Sequence, residues 1–333
     1  MAIPVITLSS GPSFPARPGL SILESAAEAE IVLPYSCKVG RCSSCKCRIL
    51  KGKTDLISPE LSLTEEEKRE GWVLSCVRTT GEDISVEVDE FLNLVLPAAR
   101  TLPCRISALT RVAPDVLKVT LRLPHSTEFN FIPGQYIEVI GNNGIRRSYS
   151  LATAQISENC FDLHIRHVEG GAMSTYLFRD AKPNDLLRLN GPLGTFFVRQ
   201  TAAIDLVFLA TGTGIAPIKA MLEWISTLPE PESPKSVTVL WGVRHKEDFY
   251  LDLKPVCSAF KYILVCSGAD EIWDGARGHV QDVFLSMQPD LRNVSVYACG
   301  SMEMIQDARR ELISNGLASN RFYSDAFVCS SKI

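Results

Sequence analysis

The stretch "YSCKVGRCSSCKC", residues 35–47, brings together Cys37, Cys42, Cys45 and Cys47. Thiols this dense hold a disulfide knot, a zinc ion or an iron-sulfur cluster, and each implies a different protein. Eleven cysteines in 333 residues are too sparse for a disulfide scaffold, and in a reducing compartment clustered thiols serve metals or catalysis. Structural zinc sites bring two short paired motifs, whereas this stretch offers one C-x2-C and no matching second pair. Cys37, Cys42 and Cys45 are spaced C-x4-C-x2-C, and Cys76 follows in "GWVLSCV". That is the pattern by which four thiolates hold a 2Fe-2S cluster. Cys47 stands where "CKCRIL" enters a strand and reads as a small buried hydrophobe. The expected metal ligands are therefore Cys37, Cys42, Cys45 and Cys76.

Three further stretches carry residue types suited to phosphates and flat rings. In "RRSYSLA", Arg147, Ser148, Tyr149 and Ser150 combine a guanidinium for phosphate, an aromatic face for a ring and hydroxyls for ring nitrogens. In "HVEGGAMSTYLF", Gly170 and Gly171 run into a helix start at Met173 and Ser174. Free N–H groups and the positive dipole end there suit a pyrophosphate. His164, alternating with Arg166 on the strand before this loop, is expected near the cofactor but is given no catalytic role. "DLVFLATGTGIAPIKAML" reads strand, glycine turn, helix, with Pro217 in the first helical turn where its missing N–H costs nothing. Thr211, Gly212, Thr213 and Gly214 form a turn able to cradle a second pyrophosphate.

The elements that must position these residues fall into three segments. The first opens with alternating "AIPVITL" and then "SILESAAEAE", whose Ser21 caps a short helix; "DISVEVDE" closes it as a strand. Proline-bounded "LPAARTLPC", residues 96–104, reads as a linker. From Arg105 to about Arg199 the text is strand after strand, separated by Pro, Gly and Asn turns, the pattern of a small antiparallel barrel. After Ala203, "DLVFLA", "SVTVLWG", "KYILVCSG" and "VSVYACG" are short apolar runs with helices between them, as in a parallel sheet buried on both faces. The net charge of −4 is concentrated in the acidic first segment, which argues against nucleic-acid binding. No basic-apolar leader and no apolar run near the ~20 residues of a membrane span is read, so a cytoplasmic protein is expected, with no membrane partner.

On these motifs the chain resembles the iron-sulfur flavoreductases that place a ferredoxin module first. Residues 1–97 resemble a plant-type ferredoxin, "RRSYS" the R-x-Y-S motif of ferredoxin-NADP reductase-like domains, and T-G-T-G-x-A-P their nicotinamide loop. The resemblance implies a multidomain α+β and α/β chain: a β-grasp 2Fe-2S ferredoxin domain over 1–97, an antiparallel β-barrel FAD domain over 98–200, and a parallel-sheet α/β nicotinamide-binding domain over 201–333. It places Gly191 and Gly194 of "GPLGTFFV" at the turn leaving the barrel. It sets Cys299 and Gly300 of "YACGS" beside the nicotinamide, and makes Asp325 and Phe327 of "FYSDAFV" the closing acid and aromatic near the flavin. Ser150, Cys299, Asp325 and Phe327 are then the catalytic candidates. Ser43 stands where such loops carry Gly, and must adopt the glycine's backbone angle. Gly40 is retained.

"WGVRHKEDFY" offers Arg244, His245 and Lys246 to a 2'-phosphate but also Glu247 and Asp248, which repel one. Relatives with this G-V-R-x-x-x-D pattern generally use NADH, so NADH is expected ahead of NADPH. A nicotinamide gives up two electrons together and a 2Fe-2S cluster takes one at a time, and flavin mediates between them. The implied route is NADH to FAD to cluster to an electron-accepting partner protein. Two partners compete: the pyridoxamine-phosphate-dependent dehydrase of CDP-3,6-dideoxyhexose formation, favoured by "RRSYS", "GPLGTFFVR", "VYACGS" and "SDAFV", and an aromatic-ring oxygenase component. A zinc-stabilised binding module on a nucleotide-binding body, without redox traffic, is the competing class.

Overall fold

The computed structural model describes residues 3–89, 91, 94–141, 144–268 and 273–328, in two compact units, one of Met1–Leu96 with Val328–Ile333 and one of Pro97–Phe327. In the first, β1 (Val5–Leu8) pairs antiparallel with β2 (Ser13–Pro15), and α1 (Ile22–Glu28) follows. The helix starts at Ser21, whose hydroxyl accepts from the Glu24 N–H while the Glu24 carboxylate accepts from the Ser21 N–H. Such a reciprocal cap contributes about 1 kcal/mol. Next come β3 (Lys46–Lys51), β4 (Asp55–Leu56), α2 (Glu65–Arg69), β5 (Trp72–Leu74), β6 (Arg78–Thr79) and β7 (Ile84–Glu87).

The sheet order β2-β1-β7-β3-β5, with β1 and β7 parallel, grips α1 through Ile6, Leu8, Ile22, Ala26 and Val86. This is the β-grasp arrangement. Alternation in "VITL" turns Ile6 and Leu8 to one face, and that face is the buried one.

The second unit begins with β8 (Arg100–Ala113), β9 (Val116–Arg122), β10 (Tyr136–Ile140), β11 (Arg146–Ser150), β12 (Cys160–Arg166), α3 (Ala172–Arg179) and β13 (Leu186–Leu193). The antiparallel order is β11-β10-β13-β8-β9-β12, and a bridge between Leu151 and Leu163 closes the first strand onto the last. Here the expected linker is corrected: residues from Arg100 belong to β8 and pair with β13 in the register Arg100↔Gly191 to Arg105↔Leu186. Two prolines suggested a linker, yet Pro103 sits within this paired stretch, opposite Arg188. Two register shifts, at Ile106/Ala108 and Arg111/Ala113, bend the strand around the barrel. Gly191 likewise lies inside β13 rather than in a turn, packed so closely that a Cβ would stand 2.8 Å from Ile137.

The chain continues with β14 (Asp205–Thr211), α4 (Ile215–Ile225), β15 (Ser236–Val243), β16 (Phe260–Cys266), β17 (Ala276–Arg277), α5 (Val280–Ser286), β18 (Val294–Gly300), α6 (Met302–Ser314) and β19 (Phe322–Ala326). The strands run parallel in the order β17-β16-β15-β14-β18-β19. β15, β14 and β18 are buried along almost their whole length, which is why their sequences are continuous apolar runs. Strand order reverses between β14 and β18, and the crevice beyond their carboxyl ends is where open α/β sheets bind ligands.

Candidate functional site

The cysteine loop is drawn together by backbone that only certain residues tolerate. Lys38 (φ 55°), Gly40 (φ 71°) and Ser43 (φ 59°) all turn left-handed. A Cβ on Gly40 would meet the Pro59 carbonyl at 2.4 Å. Ser43 adopts the glycine angle and compensates by donating its hydroxyl to the Ser62 carbonyl at 3.0 Å. The loop is then strapped by the next segment, where Leu61 N–H donates to the Gly40 carbonyl at 2.9 Å.

The sulfurs lie in two pairs. Cys45 Sγ is 3.1 Å from Cys76 Sγ, and the Cys37 N–H donates to Cys42 Sγ at 3.4 Å. The Val39 N–H donates to Cys37 Sγ at 3.5 Å. The hydrogen bond with Cys42 brings the Cys37 thiol down to about 6 against the opposing effect of burial, and backbone N–H groups add to it. Cys76 is lowered too, by its bond with Cys45 and by the Gly40 N–H, again against burial. Cys47 behaves differently. It is buried on β3, and burial with the Glu60 carboxylate pushes it up to about 12. Two sulfur pairs, met by N–H donors, have the chemistry a 2Fe-2S group takes, although among the described residues no three of these side chains already stand as a closed metal site; Cys47 stays a packed thiol.

Sequence reasoning missed the support behind this loop. Glu60 has a side chain only 3% exposed; it pairs with Arg78 at 2.8 Å and accepts the Leu74 N–H at 2.7 Å. In the sequence "SPELS" looks like an ordinary surface turn, so nothing marked it.

At the carboxyl ends of β14 and β18, the glycine turn and "YACGS" interlock. A Cβ on Gly214 would lie 2.1 Å from the Cys299 carbonyl, and one on Gly300 (φ 143°) would lie 2.1 Å from Thr211 Oγ1. That hydroxyl accepts the Ser301 N–H at 3.0 Å. The Gly212 carbonyl accepts the indole N–H of buried Trp241 at 2.8 Å, and a Cβ on Gly212 would stand 2.9 Å from the Arg166 guanidinium. Thr213 is buried within the turn and Pro217 in the first turn of α4. Asp325 pairs in register with Cys299 and is buried. Burial first, and Asp325 second, hold the Cys299 thiol well above its ordinary range, so it stays protonated. Phe327 donates its N–H to the Gly300 carbonyl at 2.9 Å and leaves its side chain 39% exposed.

On the barrel side, β11 presents Ser148 outward and buries Ser150 opposite Tyr136, while Tyr149 packs on the barrel core. The Arg147 guanidinium donates to the Arg146 carbonyl at 2.7 Å. Gly170 (φ 70°) leads into α3, whose N-cap, Gly171, has no side chain to cap the first N–H groups. Met173 is buried, and the Ser174 hydroxyl, also buried, accepts the Val168 N–H at 3.1 Å and has the Gly171 and Val168 carbonyls within reach of its one hydrogen. Turns that admit no Cβ and an uncapped helix start suit phosphate-bearing cofactors.

His164 Nδ1 lies 3.1 Å from the Tyr250 hydroxyl. Burial, helped by Lys219, depresses His164 to about 4, so it is neutral at pH 7. Arg244 is exposed just past β15, and its carbonyl accepts the Gly268 N–H at 3.0 Å. The structure thus gathers Thr211 to Gly214, Cys299, Gly300 and Asp325 into one place, with Arg166 reaching it from β12, while His164 meets Tyr250, which packs on Trp241. Arg166, Trp241 and Tyr250 were not singled out, because an alternating Arg and two aromatics carry no motif.

Comparison with known proteins gives three matches in chain order. Residues 6–81 match a 2Fe-2S iron-sulfur cluster binding domain, 103–198 an oxidoreductase FAD-binding domain and 208–310 an oxidoreductase NAD-binding domain. The CDP-6-deoxy-L-threo-D-glycero-4-hexulose-3-dehydrase reductase of Yersinia pseudotuberculosis is 38% identical, over 99% of this chain and 100% of its own length. The chain belongs to the ferredoxin-first iron-sulfur flavoprotein reductases. Reductase component 1 of the terephthalate 1,2-dioxygenase of Comamonas is a further relative, 31% identical over 96% of this chain and 95% of its own. Among solved structures, the Amycolatopsis cytochrome P450 reductase superposes with a TM-score of 0.74 at 26% identity, covering 98% of this chain and all of the other.

This reductase therefore has FAD, NAD and a 2Fe-2S cluster as its cofactors and works as an NAD(P)H-dependent oxidoreductase handing electrons to another protein. Among the described residues, no helix is long and apolar enough to cross a membrane.

Proposed function

We propose that this reductase supplies electrons to the dehydrase of CDP-3,6-dideoxyhexose formation, acting as a CDP-6-deoxy-3,4-glucoseen reductase in the cytoplasm, with domains over 1–97, 98–200 and 201–333. The observation that carries the reading is the 38% identity extending over nearly the whole of both chains in the Yersinia relative. FAD held by this chain would supply the exchange between two-electron hydride chemistry and the one-electron chemistry of a 2Fe-2S cluster.

The chain's own groups hold and orient. Cys37, Cys42, Cys45 and Cys76 ligate the cluster. Arg147 and the first N–H groups of α3, behind Gly170, Gly171, Met173 and Ser174, take the FAD phosphates, with Tyr149 and Ser148 beside the ring system. Thr211 to Gly214 and Pro217 take the dinucleotide. Ser150 would offer its hydroxyl to the flavin edge, and the protonated, buried Cys299 with the Gly300 turn would hold the nicotinamide. Asp325 and Phe327 close the site, and neutral His164 lines it without exchanging a proton at pH 7. Arg244, exposed just past β15, would face the adenosine ribose of a bound dinucleotide, and Asp248 accepts the His245 N–H at 3.3 Å. NADH is the preferred donor, and comparable catalytic efficiency with NADPH would overturn that preference.

The deciding experiment is anaerobic reconstitution of the purified reductase with NADH, the pyridoxamine-phosphate-dependent dehydrase and CDP-4-keto-6-deoxyglucose. Formation of the 3-deoxygenated product that requires the reductase supports the reading. The terephthalate dioxygenase relative, 31% identical over 96% of this chain, supports the alternative of an oxygenase acceptor. NADH-reduced protein that cannot drive the dehydrase, yet reduces a ring-hydroxylating oxygenase component, would favour that alternative.

A further inference from the structure

The helix after the glycine turn touches both halves of the proposed hydride-transfer site. At its start, Gly214 packs against the carbonyl of Cys299 so tightly that a Cβ would stand 2.1 Å away. One turn further on, Lys219 Nζ donates to the Ala152 carbonyl at 2.9 Å, two residues beyond Ser150 in the chain. Lys219 also pairs with Glu223, and the second Glu223 oxygen accepts the Ala154 N–H at 3.0 Å. Between them, Met221 packs over Gly134, where a Cβ would meet its Cε at 2.4 Å and the Phe196 carbonyl at 2.2 Å. The apolar side of the helix, Ile215, Ile218, Leu222 and Ile225, is sunk in the core of the parallel-sheet layer.

We propose that α4 sets the spacing between the flavin-side Ser150 and the nicotinamide-side Cys299, with Lys219 and Glu223 as positioning residues. The inference rests on the assignment of those two residues to the hydride-transfer site. The physical argument is geometric. A helix is stiff along its length, and this one is fixed at one end to the backbone of β18 and along its middle to the backbone leaving β11. An i,i+4 Lys–Glu pair on an exposed helix face contributes little by itself. Here its two charged ends are instead directed at main-chain groups of a different layer, where each makes a charge-assisted bond of fixed direction. Hydride transfer depends steeply on donor-acceptor geometry, and a displacement of about 1 Å can cost about 100-fold. Neither side chain reaches a reacting atom, so both act through the strand they hold.

The test uses the full-length protein with its cofactors. Lys219→Met keeps the aliphatic length and removes the bond to Ala152; Glu223→Leu removes the bond to Ala154; Lys219→Arg restores a donor. Stopped-flow reduction of the flavin by NADH is expected to slow about 10- to 100-fold in Lys219→Met and Glu223→Leu. NADH affinity should stay within about 2-fold, the long-wavelength charge-transfer absorbance should weaken, and Lys219→Arg should recover most of the rate. FAD content and cluster absorbance, checked first, establish that each variant is folded. Wild-type rates and an unchanged charge-transfer band in both Lys219→Met and Glu223→Leu overturn the inference. If Cys299→Ala and Ser150→Ala are slow under those same conditions, the site assignment survives and only the role of α4 falls. If neither Cys299→Ala nor Ser150→Ala is slowed, the site assignment falls and takes the inference with it.

Discussion

In the proposed cluster site four cysteine side chains are assigned the binding chemistry, and three of them come from nine consecutive positions, Cys37 to Cys45. In the turn at the end of β14 hardly any side chain binds. What matters there is backbone brought close to backbone, Gly214 against Cys299 and Gly300 against Thr211. A metal cluster is held by atoms that only cysteine offers, so losing one atom loses the ligand. A dinucleotide is held by N–H groups every residue has, so the sequence controls the site by leaving space. The two regions should therefore break in different ways.

The largest effect is expected in the cysteine loop. Cys76→Ser should abolish the visible absorbance of the cluster, whereas Cys47→Ser should keep it, since Cys47 is a buried thiol pushed up to about 12. Absorbance and EPR of the purified variants decide this, and the reverse pattern would return Cys47 to the ligand set.

Next comes the glycine turn, where an added methyl is the damaging change. In Gly300→Ala the Cβ would fall 2.1 Å from Thr211 Oγ1 on a residue at φ 143°. Overpacking of this kind costs about 1–3 kcal/mol and shifts backbone. NADH-driven flavin reduction should drop by about 100-fold, while dithionite still reduces flavin and cluster normally. Loss of FAD from this variant would mean that the turn supports the barrel and not the dinucleotide.

The same contrast explains what could be read in advance. C-x4-C-x2-C with Cys76 downstream points to a 2Fe-2S domain, which residues 6–81 match, and the continuous apolar runs of β14, β15 and β18 announce a sheet buried on both faces. The strand character of Arg100 to Cys104 was hidden because Pro103 reads as a break, and only its pairing with β13 shows otherwise. Trp241, Tyr250, Lys219 and Glu223 were illegible for a different reason. Each owes its importance to a partner far away in the chain, such as the Gly212 carbonyl or the Ala152 carbonyl, and no local pattern encodes a distant partner.

A smaller, pH-dependent effect belongs to the flavin-nicotinamide side. His164 is held near 4 by burial, with Lys219 and Lys118 adding to it and Asp162 opposing, against an ordinary value of about 6.5. Its folded value is depressed, so the unfolded chain takes up the proton first. Stability is then fully present above about pH 6.5 and lost as pH falls toward 4, by about 3 kcal/mol in all. Denaturant titrations at pH 7.5 and 4.5 should show a larger loss for the natural chain than for His164→Gln. Equal losses would mean that His164 is protonated in the folded protein.

The smallest effect returns to the cysteine loop, where Ser43 occupies a left-handed position at φ 59°. A non-glycine residue there costs about 1–2 kcal/mol, and the Ser43 hydroxyl recovers part of this through its bond to the Ser62 carbonyl at 3.0 Å, worth about 0.5–1.5 kcal/mol. Ser43→Gly relieves the backbone, loses the bond and adds freedom to the unfolded chain, so its stability should fall within about 1 kcal/mol of the natural protein. Ser43→Ala keeps the strained backbone and loses the bond, so it should be the less stable of the two, by about 1 kcal/mol. Cluster absorbance should be intact in both, because neither change touches a sulfur. Equal stability of the two variants would show that the left-handed turn costs a residue with a Cβ no more than the freedom glycine adds to the unfolded chain.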